Sequence, residues 1–276
     1  MAYIAATAHF EVAEHEAPIV GIAADLAAQH DSLLHQHARD QLLFAGSGCM
    51  SVTLADQWLI LPPTRAAWIP AGVPHRVQLR GAVAYRSVYV AEGVLTTLGM
   101  ASTPTRAQVF GLNPLLQALL TRLAFAEFDF DWTQAAAQRL LQVLVDELAT
   151  ARRDDVQLSW PQDARIRGVL KAYGEGWVLP SLTEMAAQRH VHGKTVTRLF
   201  QRETGLSYQQ WGQQWRLQRA IEALADGHGV NGVAQKLAFA SDSAFIAFFR
   251  QHMGQTPGQF VLGLGVSACS ASRPNG

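Results

Sequence analysis

Cysteine is scarce: Cys49, in a strand-like run, and Cys269, in a Gly/Ser-rich tail, are the only thiols of the 276-residue chain. They supply neither a disulfide framework nor a closely spaced zinc-binding pair, and they fit a reducing compartment. No run of about 18 apolar residues is present to span a bilayer. The amino terminus, MAYIAATAHFEVAEHE, lacks a basic stretch followed by an apolar stretch and a cleavage site. These absences lead us to expect a cytoplasmic protein with no membrane partner. The sequence also lacks a nucleophile paired with a base, an acid/base pair and a phosphate-cradling glycine loop, so no catalytic residue is assigned and no enzyme is expected.

Net charge is absent as well, but the zero hides an asymmetry. Cut near Trp160-Pro161, residues 1–159 carry 10 Lys and Arg against 15 Asp and Glu, and residues 160–276 carry 12 against 7. The C-terminal part has the balance of a polyanion binder, although an imbalance of this size also occurs in ordinary domains. A hydrophobic content of 49% supports a sizeable core, and the length fits two domains better than one.

Pattern changes along the chain in the same sense. Up to about residue 90, short apolar or alternating runs such as QLLFAGSG, CMSVTLADQWLILPP and AYRSVYV are punctuated by Gly and Pro, at the spacing of a β-sandwich or barrel. From about residue 113 the period becomes helical. Pro114 suits a first turn, Leu115, Leu116, Leu119, Leu120 and Leu123 form one stripe, and Leu140, Leu141, Leu144, Val145 and Leu148 form a second. Two such helices make an antiparallel hairpin. Each has more apolar width than one neighbour needs, which leaves either a homodimer surface or packing on the β-domain. The polar, Pro-marked TARRDDVQLSWPQD that follows reads as a linker.

The segment SLTEMAAQRHVHGKTVTRLFQRETGLSYQQW opens with Ser181 and Glu184 in a capping-box arrangement, turns near His190 to Gly193, and resumes as a basic amphipathic helix. This is a helix-turn-helix pattern. A shift of 49 residues places Gly205 on Gly254, Leu199-Phe200 on Phe248-Phe249, Trp211 on Phe260 and Ser207 on Thr256, so the unit occurs twice. Between the copies, WRLQRAIEALADG reads as a helix closed by Gly227, long enough to fix the spacing of two recognition helices. Two such helices about one DNA turn apart enter successive major grooves on one face of the duplex.

At these residues the chain resembles the AraC/XylS family of transcription regulators. The likeness is carried by GVAQKLAFASDSAFIAFFRQHMGQTPGQF at 232–260, in particular Ala234, Phe239, Ser243, Phe245, Phe248-Phe249, Gly254, Thr256-Pro257 and Phe260, and it spans roughly residues 160 to 262. It implies a seven-helix, two-unit DNA-binding half. One departure is Ala238, where the family usually has Gly before the aromatic residue.

His192, Lys194, Thr195, Thr197, Arg198 and Arg202 are the polar members of the first recognition helix, with Val196, Leu199 and Phe200 as its buried stripe. Residues near its N-terminal end are expected to reach base edges and later ones phosphates. For Arg198 and Arg202 the alternative is a solvated face with local ion pairs, for instance to Glu203. The second unit offers Ser241, Asp242, Ser243 and Arg250, a less basic surface expected to make weaker, more sequence-tolerant contact.

Upstream, LLHQHARDQLLF places His35 and His37 two apart, on one side of an extended segment. With Gln41 this stretch resembles the first motif of the cupins, and Pro70, Gly72 and His75 in IPAGVPH resemble the second, as in the sensor domains of one subgroup of AraC/XylS regulators. The resemblance implies a β-barrel in which His35, His37 and His75, with Gln41 in the fourth place, converge on one divalent transition metal. Imidazoles suit zinc, nickel, copper or iron. Gln41 is a poor ligand, and its neighbour Asp40 must point to the opposite side. Three readings stand: a bound metal, a metal-free pocket for a small organic effector lined by Trp58, Arg65, Trp68 or Tyr85, and a purely structural cluster. Cys49 is either core, a soft ligand or a redox sensor.

The fold expected is therefore multidomain α+β. Residues 1–105 form a cupin-like sensor β-domain, 106–153 a helical hairpin, 154–163 a linker, 164–262 a double helix-turn-helix DNA-binding domain of all-α type, and 263–276 a flexible tail. The function expected is an effector-responsive, sequence-specific bacterial transcription regulator. Its expected partners are double-stranded operator DNA, a small-molecule or metal effector, RNA polymerase and a second copy of the chain. A metal-dependent cupin enzyme fused to a DNA-binding domain, and an architectural DNA binder without effector, are the alternatives.

Overall fold

The computed structural model describes residues 15–26, 30–79, 82–153, 158–173 and 176–264. Cys269, residues 154–157 of the expected linker and the tail from 265 lie outside them. The N-terminal half is built from two five-stranded antiparallel sheets. The first has the order β1 (Ile19–Leu26), β8 (Val83–Val90), β3 (Asp40–Ala45), β6 (Arg65–Ile69), β9 (Gln108–Gly111). The second has the order β10 (Leu158–Ser159), β5 (Gln57–Leu61), β4 (Met50–Leu54), β7 (His75–Leu79), β2 (His30–Asp31). Strand alternation turns Leu43, Ala45, Ala67 and Ile69 of the first sheet toward Met50, Val52, Leu59, Leu61, Val77 and Leu79 of the second, and these fill a shared aliphatic interior.

The other face of the first sheet is apolar too. Leu42, Phe44, Ala66, Trp68, Val88 and Val90 pack against Leu116, Leu120 and Leu123 of α2 (Pro114–Ala124) and Leu141, Leu144 and Val145 of α3 (Ala135–Thr150); a one-turn helix, α1 (Val94–Thr97), adds Leu95. Asn113 caps α2 by accepting from Leu116 N at 2.8 Å, and Pro114 occupies its first turn. The hairpin lies so close to β1 that a Cβ at Gly21 would sit 2.0 Å from the Leu123 carbonyl oxygen, so only glycine fits there. The hairpin's apolar stripes are thus buried on the β-domain. Leu115 and Val143 are the large apolar side chains of the two helices left exposed.

The segment expected as a linker is structured where it is described. Leu158 and Ser159 pair with Trp58 and Gln57 as an edge strand of the second sheet, and Trp160 N donates to Asp56 O at 2.7 Å. From there the described residues form seven helices: α4 (Ala164–Tyr173), α5 (Leu182–Gln188), α6 (Gly193–Thr204), α7 (Tyr208–Ala225), α8 (Val230–Lys236), α9 (Asp242–Met253) and α10 (Pro257–Gly263). Capping boxes open α5 (Ser181/Glu184), α7 (Ser207/Gln210) and α10 (Thr256/Gln259). The core of this half, with Trp211, Trp215, Phe200, Phe245 and Phe249, extends to Cys49, Trp58, Ile60 and Leu158, the outer face of the second sheet. Gln218 Nε2 donates to Trp58 O at 3.1 Å, and the Arg219 guanidinium lies over the Trp58 and Trp215 rings at 5.4 and 5.6 Å while pairing with Glu222 at 2.9 Å.

The repeat is real in three dimensions. Units α5–α6 and α8–α9 each close on a left-handed glycine, Gly205 (φ 74°) and Gly254 (φ 72°), and each turn contains a left-handed non-glycine residue, His190 (φ 51°) and Ala238 (φ 56°). The second turn is one residue longer, so the offset is 48 before it and 49 after. At Ala238 the left-handed conformation costs roughly 1–2 kcal/mol, while glycine loses up to about 1 kcal/mol through the freedom of its unfolded chain. We predict that Ala238→Gly raises stability by about 0.5–1 kcal/mol in chemical denaturation; a lower midpoint at unchanged slope would contradict it.

Candidate sensor site and DNA interface

Pairing of β3 with β8 sets Gln41 opposite Tyr89, Leu43 opposite Ser87 and Ala45 opposite Tyr85, so one row of hydroxyls faces the interior beside a buried amide. Gln41 Nε2 lies 2.9 Å from Ser87 Oγ, 2.9 Å from Tyr89 OH and 3.3 Å from Tyr85 OH. Its Oε1 is 3.1 Å from His37 Nε2. Asp40 turns the other way and accepts from Ala71 N at 2.9 Å. His35 is held by an isolated antiparallel bridge to His75, with His35 N donating to His75 O at 3.0 Å and His75 N to His35 O at 2.9 Å. His75 itself starts β7, opposite Leu54.

The three imidazoles therefore meet, with ring centroids 4.3 Å (His35–His75), 5.0 Å (His37–His75) and 6.2 Å (His35–His37) apart, and the Tyr89 ring stands edge-on to His37 at 5.0 Å. Each Nδ1 faces a backbone carbonyl: Leu33 O at 3.2 Å, Arg39 O at 2.6 Å and Val73 O at 2.9 Å. A nitrogen facing a carbonyl has to donate, so Nδ1 carries the proton and a neutral ring keeps a lone pair at Nε2. For His37 that lone pair is satisfied when Gln41 presents its amide N–H there and its oxygen to the hydroxyls. The reverse orientation of the amide needs an imidazolium, which burial disfavours by lowering the His37 pKa. His75 is fully buried and, among the described residues, its Nε2 has no hydrogen-bond partner. Burial drives its pKa down to about 4.

Among the expected pocket residues only Tyr85 joins this cluster. Trp58, in phase with Ile60, lies on the outer face of the second sheet against α7; Trp68, in phase with Ala66, lies under the helical hairpin. Arg65 sits at the far end of β6 from Ile69, the residue opposite Gln41, with Nη1 3.6 Å from Met253 Sδ. Ser87 and Tyr89 were not singled out in the sequence, although the period-two row Tyr85, Ser87, Tyr89 is visible there. As to metal, the cupin carboxylate place holds an amide, and among the described residues no three His, Cys, Asp or Glu groups are placed to hold one ion. Cys49 is core, buried at the interface with the helical half.

In the helical half, His192 is the N-cap residue of α6, and Lys194, Arg198 and Arg202 are exposed along it, with Thr195 and Thr197 half-buried. Val196, Leu199 and Phe200 anchor its other side. Arg202 reaches Glu203 at 2.7 Å and Asp163 at 3.9 Å. Among the described residues, Lys194 and Arg198 form no ion pair. On α9, Ser241 caps the helix by accepting from Ala244 N at 3.1 Å and Asp242 accepts from Asn231 Nδ2 at 3.1 Å, whereas Ser243 and Arg250 stand exposed.

Two outcomes follow from these environments. His75 binds its proton less readily folded than unfolded, so the folded chain is destabilised relative to neutral pH as pH falls from about 6.5 to about 4. Melting temperature is expected to drop across that window and to drop less in His75→Asn; equal drops would remove His75 as the cause. Lys194→Ala is expected to weaken operator binding by roughly 1–3 kcal/mol if the ammonium meets a base edge; an unchanged ratio of operator to nonspecific affinity would refute base contact.

Residues 185–262 match a family described as "Helix-turn-helix domain". The chain is 31% identical over 248 residues to the HTH-type transcriptional regulator NimR of Escherichia coli K12, covering 88% of this chain and 87% of that protein. It is 35% identical over 83 residues to the HTH-type transcriptional regulator RipA of Corynebacterium glutamicum, covering 30% of this chain and 25% of that protein. Among solved structures, fatty acid-bound ToxT of Vibrio cholerae aligns over 90% of this chain and 97% of its own at 11% identity, with a TM-score of 0.38. With a relative matched across nearly its whole length and two helix-turn-helix units in place, the chain belongs to the AraC/XylS family of DNA-binding transcriptional regulators.

Proposed function

We propose that the cluster of His35, His37, His75, Gln41, Tyr85, Ser87 and Tyr89 is the effector site of this regulator, and that its ligand is a small, uncharged, hydrogen-bonding organic molecule. The observation that carries this reading is the buried, unpartnered Nε2 of His75 within a ring of polar groups. Such an atom costs free energy unless a partner reaches it. Neutrality argues for an uncharged ligand. Among the described residues the imidazoles' hydrogen-bond partners are backbone carbonyls, Ser32 and Gln41, and burial keeps His37 and His75 unprotonated.

One observation favours a divalent metal instead. An imidazole held through Nδ1–H by a carbonyl, with Nε2 free, is oriented as a metal-bound histidine is. The absent carboxylate and the amide already on His37 Nε2 weigh against it. On either reading the protein regulates transcription and is not an enzyme, its effector shifting the affinity of the helical half for operator DNA by binding two arrangements unequally. Contact with RNA polymerase and self-association complete the proposal.

The test is a thermal-shift screen of uncharged small molecules on the full chain, with elemental analysis of untagged, chelator-free protein beside it. A ligand at about 100 times its Kd stabilises by roughly 2.7 kcal/mol, and that shift is expected to vanish in His37→Ala/His75→Ala. About one transition metal per chain, lost in His35→Ala/His75→Ala, would replace the organic reading. A shift that survives the histidine substitutions would move the site elsewhere.

A further inference from the structure

The two recognition helices are built alike but expose different chemistry. In the 49-residue register, Val196 and Phe200 of α6 fall on Phe245 and Phe249 of α9, and all four are buried. The register is therefore the same on the opposite, DNA-facing side. There Lys194, Thr195, Thr197 and Arg198 are matched by Ser243, Ala244, Ile246 and Ala247. All four α9 residues are exposed, Ile246 at 36%. Residues three and four apart share a helix face, so Ser243, Ile246, Ala247 and Arg250 form one solvent-facing strip whose middle is hydrocarbon. The core does not need these groups, because Phe245 and Phe249 already fill it.

In the major groove the one apolar group on a base edge is the C5 methyl of thymine, and small aliphatic side chains are its usual partners. We propose that α9 reads thymine methyls through Ala244, Ile246 and Ala247, so that the half-site under the second unit has thymines at fixed positions. The half-site under α6 is read through the hydrogen-bonding and cationic groups of Lys194, Thr195, Thr197 and Arg198. The weak charge of the second unit is then no sign of indifference to sequence. Its selectivity comes from methyl burial, which adds little to the salt dependence that phosphate contacts impose.

Deoxyuridine differs from thymidine by that methyl alone, which gives a direct test. Duplexes are selected from a random pool with the full chain, and the half-site under α6 is identified as the one whose preference relaxes in Lys194→Ala. Thymines of the other half-site are then replaced singly by deoxyuridine. At one to three positions affinity is expected to fall roughly fourfold each. Ile246→Ser should become insensitive at one of them, and Ile246→Thr, which keeps a methyl, should retain sensitivity. Ile246 is on the surface, and melting curves of both variants confirm folding. A second half-site without fixed thymines, indifference of the unaltered protein to deoxyuridine, or full sensitivity in both Ile246→Ser and Ala247→Ser would overturn the proposal.

Discussion

At their most buried strands, the two sheets of the N-terminal half carry large apolar side chains on both faces. Strands β3, β5 and β6 are buried along nearly their whole length, with only Asp40 of β3 less than fully buried. A sheet of this kind needs a cover on each side. The shared interior covers the inner faces, the helical hairpin covers the outer face of the first sheet, and the DNA-binding half covers the outer face of the second. Trp58 and Ile60 would be exposed to water if the helical half moved away. The docking of α7 on β5 is thus part of the hydrophobic core and not a contact between two finished domains. Burial of large apolar side chains, at about 1.5–3 kcal/mol each, sets the strength of that joint.

The candidate sensor cluster spans both sheets, and His75 is its member on the second. His75 begins β7, β7 pairs with β4, β4 with β5, and β5 carries Trp58 against α7. Two strand pairings separate His75 from the helix that joins the two DNA-reading units. The cluster's chemistry is set by neutrality. Asp40 and Gln41 are neighbours on a strand with opposite orientations, and it is the amide that enters. An aspartate in that position would bring a charge into a site where burial disfavours the charged form of His37 and His75.

Much of the helical half was legible in the sequence because its signals are local. The capping box at Ser181, the matched glycines at 205 and 254 and a 3.6-residue apolar period each announce themselves within a few residues. Strand alternation put His35 and His37 on one side and kept Asp40 and Gln41 from pointing inward together, whereas the approach of His75 to that pair was an expectation carried by the cupin resemblance. Trp58 and Trp68, expected to line the pocket, lie on outer faces instead. When both faces of a sheet are apolar, alternation no longer tells inside from outside, and large aromatics fit either face. The edge strand Leu158–Ser159 escaped for another reason: two residues carry no period, and their pairing with β5 depends on a partner about 100 residues away.

Modularity of the two halves is limited by β10. Its two residues belong by chain position to the connector, by hydrogen bonding to the sensor sheet, and by the burial of Leu158 to the helical core, while Ser159 O receives the indole N–H of Trp211 at 2.7 Å. A seam drawn through the polar stretch before Trp160 would separate a strand from its sheet or a core residue from its helices. Recombining this sensor with the DNA-binding half of a relative therefore requires transplanting a matched surface, Trp58, Leu158 and the Trp211–Trp215 side of α7 together, and not merely joining two sequences at a convenient residue.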